Sequence, residues 1–179
     1  MRAERLIAIL SLAALCAGCG RERPEGILRV GYFPNITHSQ AIIGMARGDF
    51  AGELGSNAVI EPIIFNAGPS VIEALYAGEI DLAYIGPNPA ANGYIRSGGE
   101  ALRVVAGATS GGACLVVRSD AGISSPSDLD GRKLASPQLG NTQDVALRCW
   151  LMDNGLSTLE HGGTVEVVAV QNPEIFDLF

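Results

Sequence analysis

The residues whose types best suit chemistry lie in one polar loop, from Gln138 to Thr142, between a short apolar run and a helical pattern. Gly140 permits a backbone turn that a Cβ would obstruct. The side chain of Asn141 or Thr142 can cap the first turn of the helix. Such a loop presents backbone N–H donors at the positive end of a helix dipole, which suits an anion. An ordinary strand-to-helix connection with a good cap explains the same residues equally well.

The helix after this loop is predicted from apolar residues that recur at spacings of three and four. Its expected inward face is formed by Val145, Ala146, Cys149, Trp150 and Met152. Gly155 is expected to end the helix. Because Cys149 lies on this face and Cys114 lies in an apolar run, we expect two buried free thiols.

Similar polar, glycine-containing loops recur along the chain, each between a predicted strand and a predicted helix. The predicted strands span 27–33, 57–65, 80–85, 102–106, 113–117 and 165–170. The predicted helices span 40–47, 71–77 and 90–97, and two more start at 142 and 172. This alternation predicts an α/β fold with parallel sheets, whose ligand crevice lies off the carboxyl ends of the strands.

Composition and motifs exclude several function classes. A net charge of −7 argues against a nucleic-acid surface, and 47% hydrophobic with 17% charged residues indicates a globular chain. His38 and His161 alone do not form a metal cluster, so no metal and no cofactor are expected. The chain has no nucleophile elbow of the form G-x-S-x-G and no glycine-rich phosphate loop after a strand. The sequence therefore favours a binding protein over an enzyme.

The first 18 residues have the features of an export signal: a basic start and an apolar run from Leu6 to Ala17 that is too short to span a bilayer permanently. The segment ends in Ala17-Gly18-Cys19, which resembles a bacterial lipobox with Cys19 as the lipid-bearing residue. Cys16 departs from the aliphatic residue usual at its position. An ordinary secretory signal with cleavage nearby is the alternative. Residues 19–26 are expected to form a polar tether.

Residues 65–86 and 170–179 share one pattern, in which a strand end and a small polar turn precede a proline and a helix. The first copy then returns to a strand, whereas the second stops at Phe179 in the middle of the helix. We therefore expect that these 179 residues are not the whole functional protein. A helix that simply ends the chain is the alternative.

Four stretches together resemble the substrate-binding proteins of bacterial ABC importers, of the nitrate, sulfonate and taurine type. They are GYFPNITHSQAIIGMARGDF, GPSVIEALYAGEIDLAYIGPNPA, SPSDLDGRKLASPQLGNTQDVALRCWLMDNGL and NPEIFDLF. The resemblance implies a type II periplasmic-binding-protein-like fold with a cleft between two α/β lobes. On this chain it implies lobe 1 at 27–107, a hinge crossover at 108–112 and an incomplete lobe 2 at 113–179.

The resemblance also implies a function without catalysis. Such a protein captures a small oxyanion (an aliphatic sulfonate, taurine or nitrate) and delivers it to an ABC permease with its ATPase subunits. It implies a monomer on the periplasmic or cell-surface side, with Cys19 as a lipid anchor in the membrane. The alternatives are a binder of a thiamine-pyrimidine-like or other small organic ligand on the same scaffold, and a non-transport enzyme of unknown activity. The pyrimidine alternative needs aromatic walls and a carboxylate in the cleft.

The family's cleft, transferred motif by motif onto this sequence, falls on four loops. Its expected residues are Asn35, Thr37, His38, Gly86, Pro87, Asn88, Thr109, Ser110, Gly111, Gln138, Gly140, Asn141 and Thr142. His38 is expected either to donate to the anion from one of its ring nitrogens or to cap the following helix. Tyr84 and Trp150 are expected in the core, and Arg29 and Arg47 at the surface.

Overall fold

The computed structural model describes residues 25–111 and 113–178 of the chain. The predicted signal peptide, the predicted lipidation site at Cys19 and most of the predicted tether lie outside these residues, as do Gly112 of the predicted crossover and Phe179. No helix within the two described ranges combines the length and the apolar character needed to cross a membrane.

Three parallel strands form the first sheet, in the order β2-β1-β3. They are β1 (Ile27–Tyr32), β2 (Val59–Ile64) and β3 (Leu82–Ala83). Four helices accompany them: α1 (Ser39–Arg47), α2 (Asp49–Leu54), α3 (Gly68–Tyr76) and α4 (Pro87–Arg96). Because the three strands are parallel, the loops that follow them all leave the sheet at one edge.

A single apolar cluster holds α3 against the first sheet. Val71 of α3 is fully buried, and it packs with Phe33 at the end of β1, Ala74, and Ile80 just before β3. Phe65 continues the pairing of β2 beyond its end, since its N–H donates to the carbonyl of Tyr32 at 2.9 Å. The same packing that stabilises the sheet therefore also fixes the starts of its loops.

Two parallel strands, β4 (Lys133–Ser136) and β5 (Glu166–Ala169), form the second sheet. They are followed by α5 (Thr142–Asp153) and α6 (Asn172–Asp177), and short 3-10 turns cover Pro126–Leu129 and Leu159–His161. A second cluster of Leu129, Leu134, Leu151 and Val165 forms its core. The predicted fold class, α/β with parallel sheets, is confirmed.

Two of the predicted strands are wrong. Residues 102–106 and 113–117 form no strand, and their apolar side chains are exposed apart from the partly buried Leu102, with Val104 at 79% and Val116 at 61%. An apolar run becomes a strand only where a neighbour pairs with its backbone N–H and C=O groups. Within the described residues no strand lies beside either segment.

The predicted inward face of α5 is also wrong. Met152 is 71% exposed and Trp150 37% exposed, whereas Leu151 is fully buried and Asp144 is 2% exposed. A periodicity of apolar residues misses this face because part of it is an ion pair between Asp144 and Arg148. The expectation of two buried thiols fails with it, since Cys114 and Cys149 are both free but exposed.

Candidate functional site

His38 lies at the end of the 3-10 turn that follows β1, and only 7% of it is exposed. Its Nδ1 accepts a hydrogen bond from the backbone N–H of Phe33 at 3.1 Å. The neutral ring therefore carries its proton on Nε2. Burial lowers the pKa of His38, which favours this neutral form. The expected cap on α1 is wrong, because the side chain accepts no helix N–H there, and donation to an anion is left to Nε2.

Three rings meet at the same strand ends. The rings of Phe33 and His38 stack with 4.2 Å between their centroids, and the Tyr84 ring lies 6.3 Å from that of His38. Tyr84 follows β3 directly, and its N–H donates to the carbonyl of Gly31 at 2.9 Å. These contacts place the loop after β1 next to the loop after β3, as the sequence predicts.

The loop after β1 also contacts the segment 108–111, which belongs to the predicted crossover. Gln40 Nε2 donates to the carbonyl of Ala108 and to Thr109 Oγ1, both at 2.6 Å. Thr109 Oγ1 donates in turn to the carbonyl of Thr37 at 3.2 Å. Thr37 Oγ1 donates to Asn35 Oδ1 at 2.6 Å, so the predicted residues of these two loops lie together. Gln40 joins them, and the sequence signal for it was a polar side chain in the first turn of the helix.

The starts of three helices converge on this edge. A Cβ added to Gly86, which precedes α4, would lie 2.0 Å from Thr142 Oγ1 at the start of α5. A Cβ added to Gly68, at the start of α3, would lie 2.2 Å from Pro89 Cγ in the first turn of α4. Thr142 Oγ1 is buried and has no hydrogen-bond partner. Two glycines therefore let the helix starts approach to a distance that a side chain would prevent.

The loop between β4 and α5 is closed by its own side chains. Asn141 Oδ1 accepts from the N–H of Asp144 at 2.7 Å, which confirms Asn141 as the cap of α5. The carboxylate of Asp144 reaches back and accepts from the N–H of Gly140 at 2.8 Å and from Ser136 Oγ at 3.3 Å. One backbone donor of the predicted anion loop is therefore already engaged with a carboxylate.

Asp144 belongs to an ionic network that the sequence reasoning missed. Arg148 Nε donates to Asp144 Oδ1 at 3.0 Å, and Arg148 also pairs with Glu160. The hydrogen bond from Arg148 lowers the pKa of Glu160, and the two carboxylates hold the Arg148 guanidinium charged. The three residues, with Ser136 and Leu139, line a cavity of about 190 Å³. The available signal was the Asp-x-x-x-Arg spacing, which places both side chains on one helix face.

The remaining predicted residues have fewer contacts. Pro87 and Asn88 lie in the first turn of α4, and Gln138 contributes its carbonyl to the N–H of Asn141 at 3.2 Å. Ser110 and Gly111 are exposed in the crossover. The structure thus groups the residues of the loops after β1 and β3 with Thr109, and groups Gly86 with Thr142.

Two arginines of the first half of the chain each form an ion pair with an aspartate. Arg29 forms a bidentate pair with Asp81 at 2.9 Å and 3.0 Å, and Arg47 pairs with Asp49 at 3.1 Å. In the described part of the chain, no group of three His, Cys, Asp or Glu side chains has the arrangement of a metal site.

Comparison with solved structures shows the fold. The alkanesulfonate-binding protein SsuA from Xanthomonas axonopodis pv. citri, solved with MOPS bound, matches with a TM-score of 0.63 and 21% identity over 87% of this chain and 51% of that one. The periplasmic aliphatic sulphonate binding protein SsuA from Escherichia coli matches with a TM-score of 0.56 and 22% identity over 88% of this chain and 51% of that one. The chain thus spans about half the length of these proteins.

No curated protein matches the sequence. A sequence model of the NMT1-like family matches residues 21–179, which is most of the chain. Together with the two solved structures, this match confirms the resemblance to substrate-binding proteins of the sulfonate, nitrate and taurine type. The chain belongs to the NMT1-like family.

Proposed function

We propose that the protein is the solute-binding component of an ABC importer and that it binds a small oxyanion, an aliphatic sulfonate, taurine or nitrate. The ligand lies between two lobes, residues 27–107 and 113–179, which the crossover at 108–112 connects. The loaded protein delivers the ligand to a permease. Membership of the NMT1-like family and the fold shared with two sulfonate-binding proteins support this function.

The observation that carries the proposal is the contact between Gly86 and Thr142. It brings together the starts of α4 and α5, which belong to different sheets, and it leaves the buried Thr142 hydroxyl without a partner. Each helix start favours a nearby negative charge by about 0.3–1 kcal/mol. Micromolar binding corresponds to about −8 kcal/mol, so direct hydrogen bonds from Thr, Asn and backbone N–H groups must supply most of the affinity.

Export and lipid anchoring are part of the same proposal. Cys19 follows Ala17-Gly18 at the end of an apolar run, as in a lipobox. A binding protein held at the membrane by one lipidated residue remains close to its permease. Expression of the Cys19→Ala variant in a bacterial host tests this step, because the wild-type chain is expected in the membrane fraction and the variant in the soluble exported fraction. Equal distribution of the two chains contradicts the anchor.

Calorimetry of the whole chain tests the ligand. We expect heat of binding with at least one of methanesulfonate, taurine and nitrate, and none with a small cation such as choline. Bicarbonate serves as a further planar anion. The proposed ligand class is contradicted if choline gives heat of binding and none of the anions does.

A second candidate, an aminopyrimidine-like ligand, is favoured by one feature of the structure. Asp144 supplies a carboxylate beside one loop, and Tyr84 lies half-buried with His38 and Phe33 beside another. These are the aromatic wall and the carboxylate that such a ligand requires. However, Phe33 and His38 are buried and Asp144 is already paired with Arg148, so little of either group faces outward. Titration of an aminopyrimidine in the same calorimetry experiment decides between the two ligand classes, because heat of binding is expected from only one of them.

A further inference from the structure

Asp144 makes contacts unlike those of an ordinary residue in the first turn of a helix. Its carboxylate accepts from the N–H of Gly140, from Ser136 Oγ and from Arg148 Nε, while its own N–H donates to Asn141 Oδ1. One side chain therefore ties the end of β4, the loop and the second turn of α5 to each other. The loop between β4 and α5 keeps its shape through Asp144.

The charge around this loop is negative. One guanidinium, on Arg148, lies between two carboxylates, those of Asp144 and Glu160. Asp144 is 2% exposed, so salt screens its charge poorly, whereas Glu160 is more than half exposed. An anion bound at the loop 138–142 therefore meets the field of a buried carboxylate that bonds to this loop at Gly140 and shares its cationic partner, Arg148, with Glu160.

We infer that Asp144 is a positioning residue that fixes the ligand loop at 138–142 and makes the site prefer singly charged over doubly charged anions. The same hydrogen-bond donors serve a sulfonate and a sulfate, because both present a tetrahedral face of oxygens. The repulsion from Asp144 doubles when the ligand charge doubles. Arg148 reduces this repulsion, but it shares its charge with Glu160. The hydrogen-bond donors of the loop then recognise the shape of the ligand, and the carboxylate of Asp144 discriminates by its charge.

Because this inference rests on the proposed function, its test uses two ligands that differ in charge and little else. Methanesulfonate and sulfate are titrated into the whole wild-type chain and into the Asp144→Asn variant at constant ionic strength. Asparagine keeps the size of the side chain and one acceptor but removes the charge. We expect the ratio of the sulfate Kd to the methanesulfonate Kd to fall about tenfold in the variant, since one buried charge is lost.

If Asp144 has a structural role alone, Asp144→Asn raises the Kd of both ligands by the same factor and leaves the ratio of the two Kd values unchanged. That result overturns the inference. Glu166→Gln is the matched control, because it removes the same charge at the opposite ends of the same strands, where Glu166 pairs with Lys133. Its ratio is expected to equal that of the wild type. If Asp144→Asn does not fold, Glu160→Gln replaces it, and its ratio is expected to fall in the same direction. An unchanged ratio in Glu160→Gln overturns the charge preference.

Hydrogen exchange separates this inference from the proposed function. If the wild-type chain binds neither anion, the proposed function is contradicted, and the positioning role is decided by the exchange of the Gly140 amide without ligand. Faster exchange of that amide in Asp144→Asn than in Glu166→Gln supports positioning. Equal exchange in the two variants overturns it.

Discussion

Buried polar side chains at the strand ends use their hydrogen-bonding capacity to hold loops in place. His38 accepts the N–H of Phe33, and Asp144 accepts the N–H of Gly140. A buried backbone N–H without an acceptor is costly, so His38 stabilises the loop that begins at the buried Phe33. Asp144 stabilises its loop through a hydrogen bond from Gly140 to a charged acceptor. The loops that carry the candidate ligand contacts are therefore held by hydrogen bonds within the protein.

The pH dependence of stability is expected to follow His38. Burial lowers its pKa below the ordinary value of about 6.5, so the unfolded chain binds a proton more readily than the folded one. Its stabilising contribution is complete above about pH 6.5 and is lost as the pH falls through that value. The free energy of unfolding, measured by urea denaturation from pH 5 to 8, should decline on the acid side.

The variant His38→Asn should flatten this decline, because an amide oxygen can still accept from Phe33 but does not titrate. His161→Asn is the control, since His161 is exposed and its ring forms a hydrogen bond with Thr158, which precedes the Leu159–His161 turn. A decline that persists in His38→Asn assigns it to another group.

The charge of the loop between β4 and α5 can be changed by a substitution that replaces one side-chain amide nitrogen with oxygen. Asn141→Asp keeps an oxygen that caps α5 but places a carboxylate beside that of Asp144. We expect oxyanion affinity to weaken tenfold or more, about 1.4 kcal/mol, when measured by calorimetry. Asn141→Ser keeps the cap without the charge and should lose much less. Unchanged affinity in Asn141→Asp removes this loop from the site.

At the scale of elements, the close approach of α4 and α5 depends on the absence of one side chain. Gly86 has φ −71° and ψ 158°, which any residue adopts, so a substitution there tests space and not backbone strain. A Cβ would lie 2.0 Å from Thr142 Oγ1, and the next atom, Thr142 Cβ, is 3.1 Å away. One hydroxyl therefore accounts for most of the obstruction.

We expect Gly86→Ala to destabilise the chain by about 1–3 kcal/mol, the usual cost of overpacking, and to weaken ligand binding. The double variant Gly86→Ala with Thr142→Ala should recover stability, because the obstructing oxygen is gone. Gly52→Ala is the control, since a Cβ there meets nothing within 4 Å. Thermal denaturation of the wild type, of the single variants Gly86→Ala and Thr142→Ala, and of the double variant gives the coupling energy. Additive effects of the two substitutions contradict the contact.

The elements themselves were largely predictable from the sequence. The strands at β1 and β2 and the helix after Asn141 follow from apolar runs, glycine stops and a capping residue, which are local signals. The strands expected at 102–106 and 113–117 failed because pairing depends on a neighbouring strand. The inward face of α5 failed because a buried ion pair has no apolar signature. The contacts of Gln40 with Ala108 and Thr109 join distant segments, and no spacing in the sequence reports them. The pair of Asp144 and Arg148 does have a signal, the i, i+4 spacing on one helix face, but apolar periodicity does not detect it.

At the scale of the whole molecule, two apolar clusters share no residue. One surrounds Val71 and packs against the first sheet, and the other surrounds Leu151 and packs against the second. Each sheet therefore has its own source of hydrophobic stabilisation. Loss of packing in one cluster should loosen its own sheet first.

We expect Leu151→Ala to lower the free energy of unfolding of the second sheet by about 2–5 kcal/mol, because Leu151 is fully buried. Hydrogen exchange of β4 and β5 should accelerate, while that of β1 should stay as in the wild type. The reciprocal variant Val71→Ala should affect β1 and spare β4. Faster exchange in both sheets from either variant alone would show that the two clusters unfold as one unit.

The exposure of Cys114 and Cys149 has a practical consequence for every solution experiment on this chain. These two thiols are accessible in the described part of the chain, and they allow intermolecular cross-links when a sample is stored in air. Cross-linked copies would report an apparent stoichiometry that belongs to the preparation and not to the protein. Fresh reductant, or replacement of both cysteines by serine, keeps the titrated species a single chain.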